Sequence, residues 1–587
     1  MLLTFIDALL VIFITLSIGL FTVRGLSQLL RTPLQTDLPG IFLSGLIFCT
    51  VYFSILSFWL PVNYLVLIPL AGISLFTMRR NAPVYRQLYA SAKEYLTRPY
   101  LLFTIPFLIL WGVNAILPPG NGDSKGYHYE TIRWYEMYKV IPGLGNIHGR
   151  YTFNGAGFIL QAPYSFTTLT GHSIYPLNGV IIALFFLWLM KRTVLNRHSP
   201  RGVFYFLLTV IFFRIFPINV SSPSTDPLFE VCMFYGLLKC IELIYDNKMN
   251  LSSGFVPLLI LVFSPVAKLS AYPVLLAVLY IFFFVIPKKE RRLSHALIYV
   301  PLGLLIYLPW LGRNVIMSGY LIYPVSFLDF FNVDWKMPKE AVYVDYYMIN
   351  YWIKGLAVNV PNMQRFTDLH TFPMKEWLFP WLKKELPGIH TVTALLLIAA
   401  VVLSPFGWVI LYLRKKKPSV HLFVLWAIQY ACIWNWLNNS PDFRFGIVFI
   451  SITLAIPLFL LTPDHWRPGI RVPRLLTPVL YTVFALFFVV KACIRPGNYP
   501  FTLADCWLYP LKDIQTRTQN NQQDFPYKVM KSGVKLYLSD WTHHCLNAPG
   551  LCAPCMSWKY GDIQMRGTRI EDGFYNAHVE MGNVYPF

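Results

Sequence analysis

Charge is what this sequence has least of. Asp, Glu, Lys and Arg make up 13% of its 587 residues, against 56% hydrophobic residues. A soluble fold built from that mixture would lack the surface to stay in solution. Acids are scarcer than bases, 28 against 49, which leaves a net charge of +21. The excess does not read as a nucleic-acid surface, because most of it sits in short loops between apolar runs, where it orients helices in a membrane. The first 23 residues are apolar but lack a basic n-region and a small-residue cleavage site. They are expected to stay as a first helix and not to leave as a signal peptide. No internal repeat is visible, which counts against a transporter or lipid flippase built from repeats.

Apolar sequence is abundant, in blocks of roughly 15 to 22 residues, the length that crosses a bilayer. Run length gives about 14 spans, near 3–23, 40–58, 62–78, 100–117, 177–190, 203–216, 228–245, 255–267, 272–286, 296–312, 391–411, 421–436, 446–461 and 475–491. The expected fold class is an all-α polytopic membrane protein with outer-face amphipathic loop helices and a small C-terminal α+β domain. Basic residues gather in every second loop: Arg24 and Arg31, Arg79 and Arg80, Lys191 and Arg192, Lys288 and Lys289, Arg414 to Lys417, and Arg467, Arg471 and Arg474. The positive-inside rule makes these loops cytoplasmic. The outer face then receives the loop at 118–176, the SSPSTDP turn at 221–227, the loop at 313–390, the NNSPDFRFG turn at 438–446 and the tail from 493.

The first outer loop holds the densest set of reactive residues, from Asn121 to Gly157: NGDSKGYHYETIRWYEMYKVIPGLGNIHGRYTFNGAG. Gly122, Asp123 and Ser124 suit a helix start, and Lys125 to Lys139 runs on without proline. Tyr127, Tyr129, Trp134, Tyr135 and Tyr138 give that stretch the aromatic character of a helix lying in the headgroup plane. Such a helix would hold Asp123 where an acceptor hydroxyl from water meets a lipid phosphate. The alternative is a capping Asp beside an interfacial aromatic belt. His128 and His148 are substrate-binding or plain hydrogen-bonding residues. The Gly- and Asn-rich GLGNIHGR and NGAG segments suit a loop wrapping a sugar, or a turn with no further role.

Further along, Asp226 opens a span behind SSPST, with Glu230 one turn on along the same face. A carboxylate also favours a helix N-terminus for its own sake. Lys268 interrupts the apolar stretch Phe255 to Ile286. An isolated cation inside a span costs about 2.5–3.5 kcal/mol, so Lys268 is expected to face a cavity or a partner, or else to reach the headgroups. Arg313 in PWLGRNVIMSGYLIYP and Arg444 in PDFRFG stand at the outer ends of two spans, and guanidinium groups suit bidentate phosphate recognition.

Together, the acidic loop with its amphipathic stretch, the SPSTDP turn, AKLSAYP, RNVIMSGYLIYP and PDFRFG resemble the GT-C superfamily. These are integral-membrane glycosyltransferases that use polyprenyl-phosphate sugars, such as the protein mannosyltransferase and aminoarabinose transferase families. The order of segments is similar, more closely, to that of a group of bacterial membrane proteins. The likeness covers roughly residues 100–460. It departs from the superfamily in two ways: three spans precede the one leading into the acidic loop, and Asp123 stands alone where paired acids are common, with His128 and Glu130 as substitutes.

The resemblance implies a glycosyltransferase, inverting at the anomeric carbon, with its site on the periplasmic face of a bacterial inner membrane. Glycosyl transfer needs a base for the acceptor hydroxyl and charge compensation for the departing phosphate. Asp123 is assigned as base and Asp226 as a second carboxylate that positions acceptor or sugar. Lys268, Arg313 and Arg444 are assigned to the lipid phosphate, and Tyr127, His128, Glu130 and His148 to substrate contacts. With enough cations around the phosphate no metal is required; a pyrophosphate-linked donor would favour Mg²⁺ or Mn²⁺ between Asp123 and Asp226. The partners are a polyprenyl-phosphate-linked sugar, membrane lipids, and a lipid, glycan or protein acceptor. An oligosaccharyltransferase acting on protein is the nearest alternative.

The chain divides into N-terminal helices at 1–99, a catalytic module at 100–492 and a polar tail at 493–587. Within the 313–390 loop, YVDYYMINYWIKGLAV is another stretch that suits a membrane surface, as part of a lid or a binding element. In the tail, KLYLSDW, GDIQMRGTRI and GFYNAHVEMGNVYPF suggest strands and QTRTQNNQQDFP a linker. Cys506, Cys545, Cys552 and Cys555 suit two disulfides outside the cytoplasm. The rival is a zinc site using His543, His544, Cys545 and the CAPC cysteines.

Overall fold

A computed structural model of the chain describes residues 1–461, except 96, 118, 120, 197–199, 216–218, 292, 355–371, 386–390 and 415–418. Beyond 461 it describes 482–483, 486, 490, 507–508, 527–530, 532–539, 555–557 and 563–576. The protein is mainly helical, and helices cover the expected apolar runs from 3–23 to 446–461; the last run, 475–491, lies largely outside the described residues. Seven helices are long and apolar enough to cross a membrane, and three shorter apolar helices accompany them.

In chain order the helices are α1 (Leu2–Leu29), α2 (Leu38–Leu56), α3 (Leu67–Arg80), α4 (Ala82–Glu94), α5 (Arg98–Ile116), α6 (Tyr129–Met137), α7 (Ala156–Gln161), α8 (Thr167–Thr170), α9 (Leu177–Leu195) and α10 (Pro200–Ile215). They continue with α11 (Asp226–Tyr245), α12 (Leu251–Ala267), α13 (Leu275–Tyr280), α14 (Leu293–Ser318), α15 (Lys339–Lys354), α16 (Met374–Glu385), α17 (Thr391–Ile398), α18 (Ser404–Leu413), α19 (Val420–Asn439) and α20 (Phe443–Leu461). Long helices that are apolar all round cannot show any face to water, so they bury one side in the bundle and offer the rest to lipid. Between α1 and α2 the backbones touch: a side chain at Gly19 would meet the Ile41 carbonyl oxygen at 1.9 Å, and one at Gly45 the Thr15 carbonyl oxygen at 2.0 Å. Small residues permit this approach where helices pack without water to drive them together. α2 in turn lies against α12 and α14, so the helices of 1–99 pack into the same core as the rest.

An ion network closes one end of the bundle. Asp37 caps α2 through the Gly40 amide (3.4 Å) and accepts from Tyr235 (2.6 Å) and Trp188 (2.9 Å). Arg192, near the end of α9, grips Glu242 of α11 with Nε at 2.7 Å and Nη2 at 2.9 Å. Lys239 lies 3.6 Å from both acids. Loop 118–176 covers the opposite end. It is pinned to the end of α2 by hydrogen bonds from Val140 to Ser57 and from Val62 to Tyr135, both 2.8 Å, and to α14 by one from Gly143 to Ile316.

The tail reaches that same end. Its strands β1 (Tyr527–Val529), β2 (Lys535–Ser539) and β3 (Cys555–Ser557) form one sheet, antiparallel then parallel, and β4 (Ile563–Met565) pairs antiparallel with β5 (Phe574–Asn576). The Phe574 amide donates to the Pro142 carbonyl (2.9 Å), and Arg566 forks onto Asp334. Leu2 at the start of α1 donates to Trp507 (2.9 Å). These contacts put the chain start, loop 118–176, the segment after α14 and the tail on one side, as the alternation of basic loops requires. Cys506, Cys545, Cys552, His543 and His544 lie outside the described residues; of Cys555 the backbone alone is placed, in β3.

Candidate functional site

The expected headgroup-plane helix at 125–139 is replaced by a buried one. A π-helical turn spans Ser124–His128 and runs into α6, which ends at Met137. Tyr129, Trp134 and Tyr135 are buried among protein groups, Tyr129 stacked on Tyr175. Periodicity cannot tell an aromatic face that meets lipid from one that meets protein; packing under the helix ends decides it. Asp123 precedes the turn and its side chain makes no capping hydrogen bond, so it is not a helix cap.

Its carboxylate faces charged groups from three other segments, and Lys268 joins the network through Asp226. Nη1 of Arg444 lies 3.3 Å from Asp123 Oδ2 and 3.6 Å from Asp226 Oδ2, and Nη1 of Arg150 lies 3.7 Å from Asp123 Oδ1. Lys268 Nζ donates to Asp226 Oδ1, and its ammonium stands 3.7 Å from the centre of the Phe445 ring. Asp442 accepts from Nε and Nη2 of Arg444 at 3.1 and 2.8 Å. The Asp226 side chain is 2% exposed and that of Asp123 21%, so Asp226 holds the floor and Asp123 the rim.

Local structure explains the meeting. Ser222 Oγ accepts from the Ser224 amide and Ser224 Oγ from the Asp226 amide, so the SSPST turn folds on itself ahead of α11. Asn178 at the start of α9 donates to the carbonyls of Ser222 and Ser224, both 2.7 Å. A buried 2.6 Å hydrogen bond joins Ser124 to Ser222 and ties the two carboxylate-bearing segments together. Lys268 ends α12 in an extended conformation, which frees its side chain to turn toward Asp226. The glycines of NGAG pack on protein and not around an open groove: a side chain at Gly155 would meet Thr225 Cγ2 at 2.8 Å and the Ala267 carbonyl oxygen at 2.9 Å.

Burial alone would raise the Asp123 pKa, but Arg444, His128 and Arg150 outweigh it and hold the carboxyl below its usual range. The ion-paired form therefore contributes stability above the unfolded carboxylate value and loses it as pH falls through the folded one. His128, wedged against Tyr127 and Phe158, is pushed down to about 4, first by burial. His148 accepts the Arg150 amide on Nδ1 (3.2 Å); burial, with Arg150 beside it, keeps its pKa well below the ordinary value. It thus holds the backbone at Arg150, whose guanidinium lies 5.5 Å over the Tyr127 ring. Glu130 is buried on α6. Glu230, one turn beyond Asp226, is 0% exposed, and neither carboxyl oxygen has a hydrogen-bond partner among the described residues.

Arg313 departs from its assignment. It is 1% exposed, donates to Asn154 Oδ1 (2.9 Å) and Ser57 Oγ (2.6 Å), and lies 4.4 Å over the Tyr135 ring. None of these contacts is with Asp123, Asp226, Lys268 or Arg444. A span-end position did not fix its direction; rotation of α14 turns it into the protein, where it clamps loop 118–176 to α2. The residue the sequence reading passed over is Arg150. Its signal was present, a basic side chain on the face that the positive-inside rule leaves poor in them.

Residues 1–451 match the family described as Domain of unknown function (DUF8201), and the chain belongs to that family. Every residue of the Asp123 network falls within the match. No curated protein and no solved structure matches the chain.

Proposed function

We propose that this membrane-embedded protein is a glycosyltransferase of GT-C type. It moves a sugar from a polyprenyl-phosphate donor to an acceptor hydroxyl at the periplasmic face of a bacterial inner membrane. In this reading the three shorter apolar helices, the helices over the runs 62–78, 203–216 and 228–245, and the run at 475–491 join the seven long ones to give about 14 spans. The observation that carries the proposal is the partly exposed Asp123 beside Arg150 and Arg444, with Lys268 on the neighbouring Asp226, at the helix ends opposite the loops richest in bases. An acid and several cations at that boundary suit a substrate with a hydroxyl on one side and a lipid phosphate on the other.

Asp123 takes the proton from the acceptor hydroxyl as its oxygen bonds to the anomeric carbon. The bond from that carbon to the phosphate oxygen breaks, and the polyprenyl phosphate leaves with the electron pair, inverting the centre. In the resting network Arg444 and Arg150 depress the basicity of Asp123. A phosphate that draws these cations to itself restores it, which couples donor binding to activation of the acceptor. Asp226, nearly enclosed, positions Lys268 and Arg444 and does not act as a second base. The test is turnover by purified protein supplied with polyprenyl-linked sugars and candidate acceptors. Wild type should transfer and Asp123→Asn should not; equal turnover removes Asp123 as base.

A further inference from the structure

Sequence left open whether a divalent ion bridges Asp123 and Asp226. The place such an ion would take is filled. Arg444 Nη1 stands 3.3 Å from one carboxylate and 3.6 Å from the other, and Asp442 holds the opposite edge of the same guanidinium. The remaining oxygens are engaged as well, Oδ1 of Asp226 by Lys268 and Oδ1 of Asp123 by Arg150 at 3.7 Å. A divalent ion needs carboxylate oxygens converging on it at about 2.0–2.6 Å; here they converge on N–H groups. Among the described residues no three His, Cys, Asp or Glu side chains are grouped as metal ligands. The residues present do not fit a bridging metal.

We propose that Arg444 is a built-in substitute for that ion: its guanidinium joins Asp123 to Asp226, and its single charge restricts the donor to a singly charged phosphodiester. The second half rests on the glycosyltransferase reading, and the first does not. Among the described residues Arg150, Lys268 and Arg444 are matched by Asp123, Asp226 and Asp442, which leaves no surplus positive charge in this set. A guanidinium brings one charge where a bridging ion brings two, and it cannot be deprotonated or exchanged. A pyrophosphate carries at least one more negative charge than a phosphodiester into the same space, with no further cation among the described residues of the network to offset it. A sugar on a single phosphate asks for one cation to turn from its carboxylate, which the long Arg150 and Lys268 side chains allow.

The test of the first half is a titration of the full-length protein in detergent with Mn²⁺, read by the EPR signal of the free aqueous ion. Wild type should take up none at the site, Arg444→Met should take up one equivalent, and Arg444→Met combined with Asp123→Asn should lose it again. Uptake by wild type that Asp123→Asn abolishes overturns the substitution, as does a folded Arg444→Met protein that binds no Mn²⁺. If Arg444→Met does not fold, the wild-type titration decides by itself. For the second half, turnover is compared with a sugar on one polyprenyl phosphate and the same sugar on pyrophosphate, with and without chelator. Transfer from the first alone, unchanged by chelator, is expected; transfer from pyrophosphate, or loss in chelator, overturns it. No transfer from either donor counts against the glycosyltransferase reading and leaves the Mn²⁺ result standing.

Discussion

Two ion networks close the two ends of this bundle, and they differ in what surrounds them. At the end where α9 and α11 finish, Glu242 is gripped by Arg192 and Tyr205, and Asp37 by the Gly40 amide, Tyr235 and Trp188. At the end where α11 and α20 begin, the charges balance too, but buried polar atoms nearby have no partner among the described residues: both oxygens of Glu230, Nδ1 of His128 and Nδ2 of Asn121. Each such atom costs about 1–3 kcal/mol if nothing meets it. Acids whose oxygens are all met, as at Asp37 and Glu242, stabilise; an acid with neither oxygen met among the described residues, as at Glu230, leaves capacity for a ligand or ordered water. The contrast teaches that count and sign of charge do not locate a site, whereas incomplete satisfaction beside partial exposure does.

The comparison breaks most sharply on turnover. Asp123→Asn should lower it by about 10²–10⁴-fold, the usual contribution of a general base, with some loss of thermal midpoint because the ion-paired carboxylate it replaces contributes stability. Glu242→Gln should do the reverse, destabilising by about 3 kcal/mol as a paired buried cation loses its acid, with turnover per folded molecule kept. A Glu242→Gln protein as stable as wild type, or as inactive as Asp123→Asn, would erase the distinction. Arg313→Ala tests the reassigned residue: leaving Asn154 Oδ1 unmet should cost about 1–3 kcal/mol, seen as a lower unfolding midpoint, while donor affinity in the folded fraction stays the same. A lost donor affinity would return Arg313 to the phosphate.

The smallest effect is in pH. Burial sets His128 low, and Lys268 and Arg444 push the same way against Asp123 and Asp226, for a value of about 4 in place of 6.5. A depressed histidine is protonated first in the unfolded chain, so stability should fall as pH drops from about 6.5 to 4. His128→Phe should flatten that slope; an unchanged slope would mean that the imidazole is not held neutral.

Four of the residues that the structure brings together stood out in the sequence. Asp123, Asp226, Lys268 and Arg444 are charges in a chain that has few, each in or beside an apolar run where an unpaired charge is costly, so each needed a reason. Arg150 was less visible because it lies among polar neighbours that make a base unremarkable. Arg313 was misread because a helix end fixes depth and not azimuth. The aromatic stretch at 125–139 was misread for a related reason, since Tyr and Trp suit a lipid boundary and a protein interior equally.

Run length and composition settled that this is a helical membrane protein, and the alternation of basic loops settled which loops share a face. Both are properties of one segment at a time, set by transfer of side chains between water and hydrocarbon. Tertiary structure alone decided that Arg444 stands between Asp123 and Asp226, that Lys268 answers Asp226, and that Arg313 belongs elsewhere. Those outcomes depend on the rotation of packed helices and on serine, asparagine and glycine contacts that join distant segments, and no local pattern encodes them.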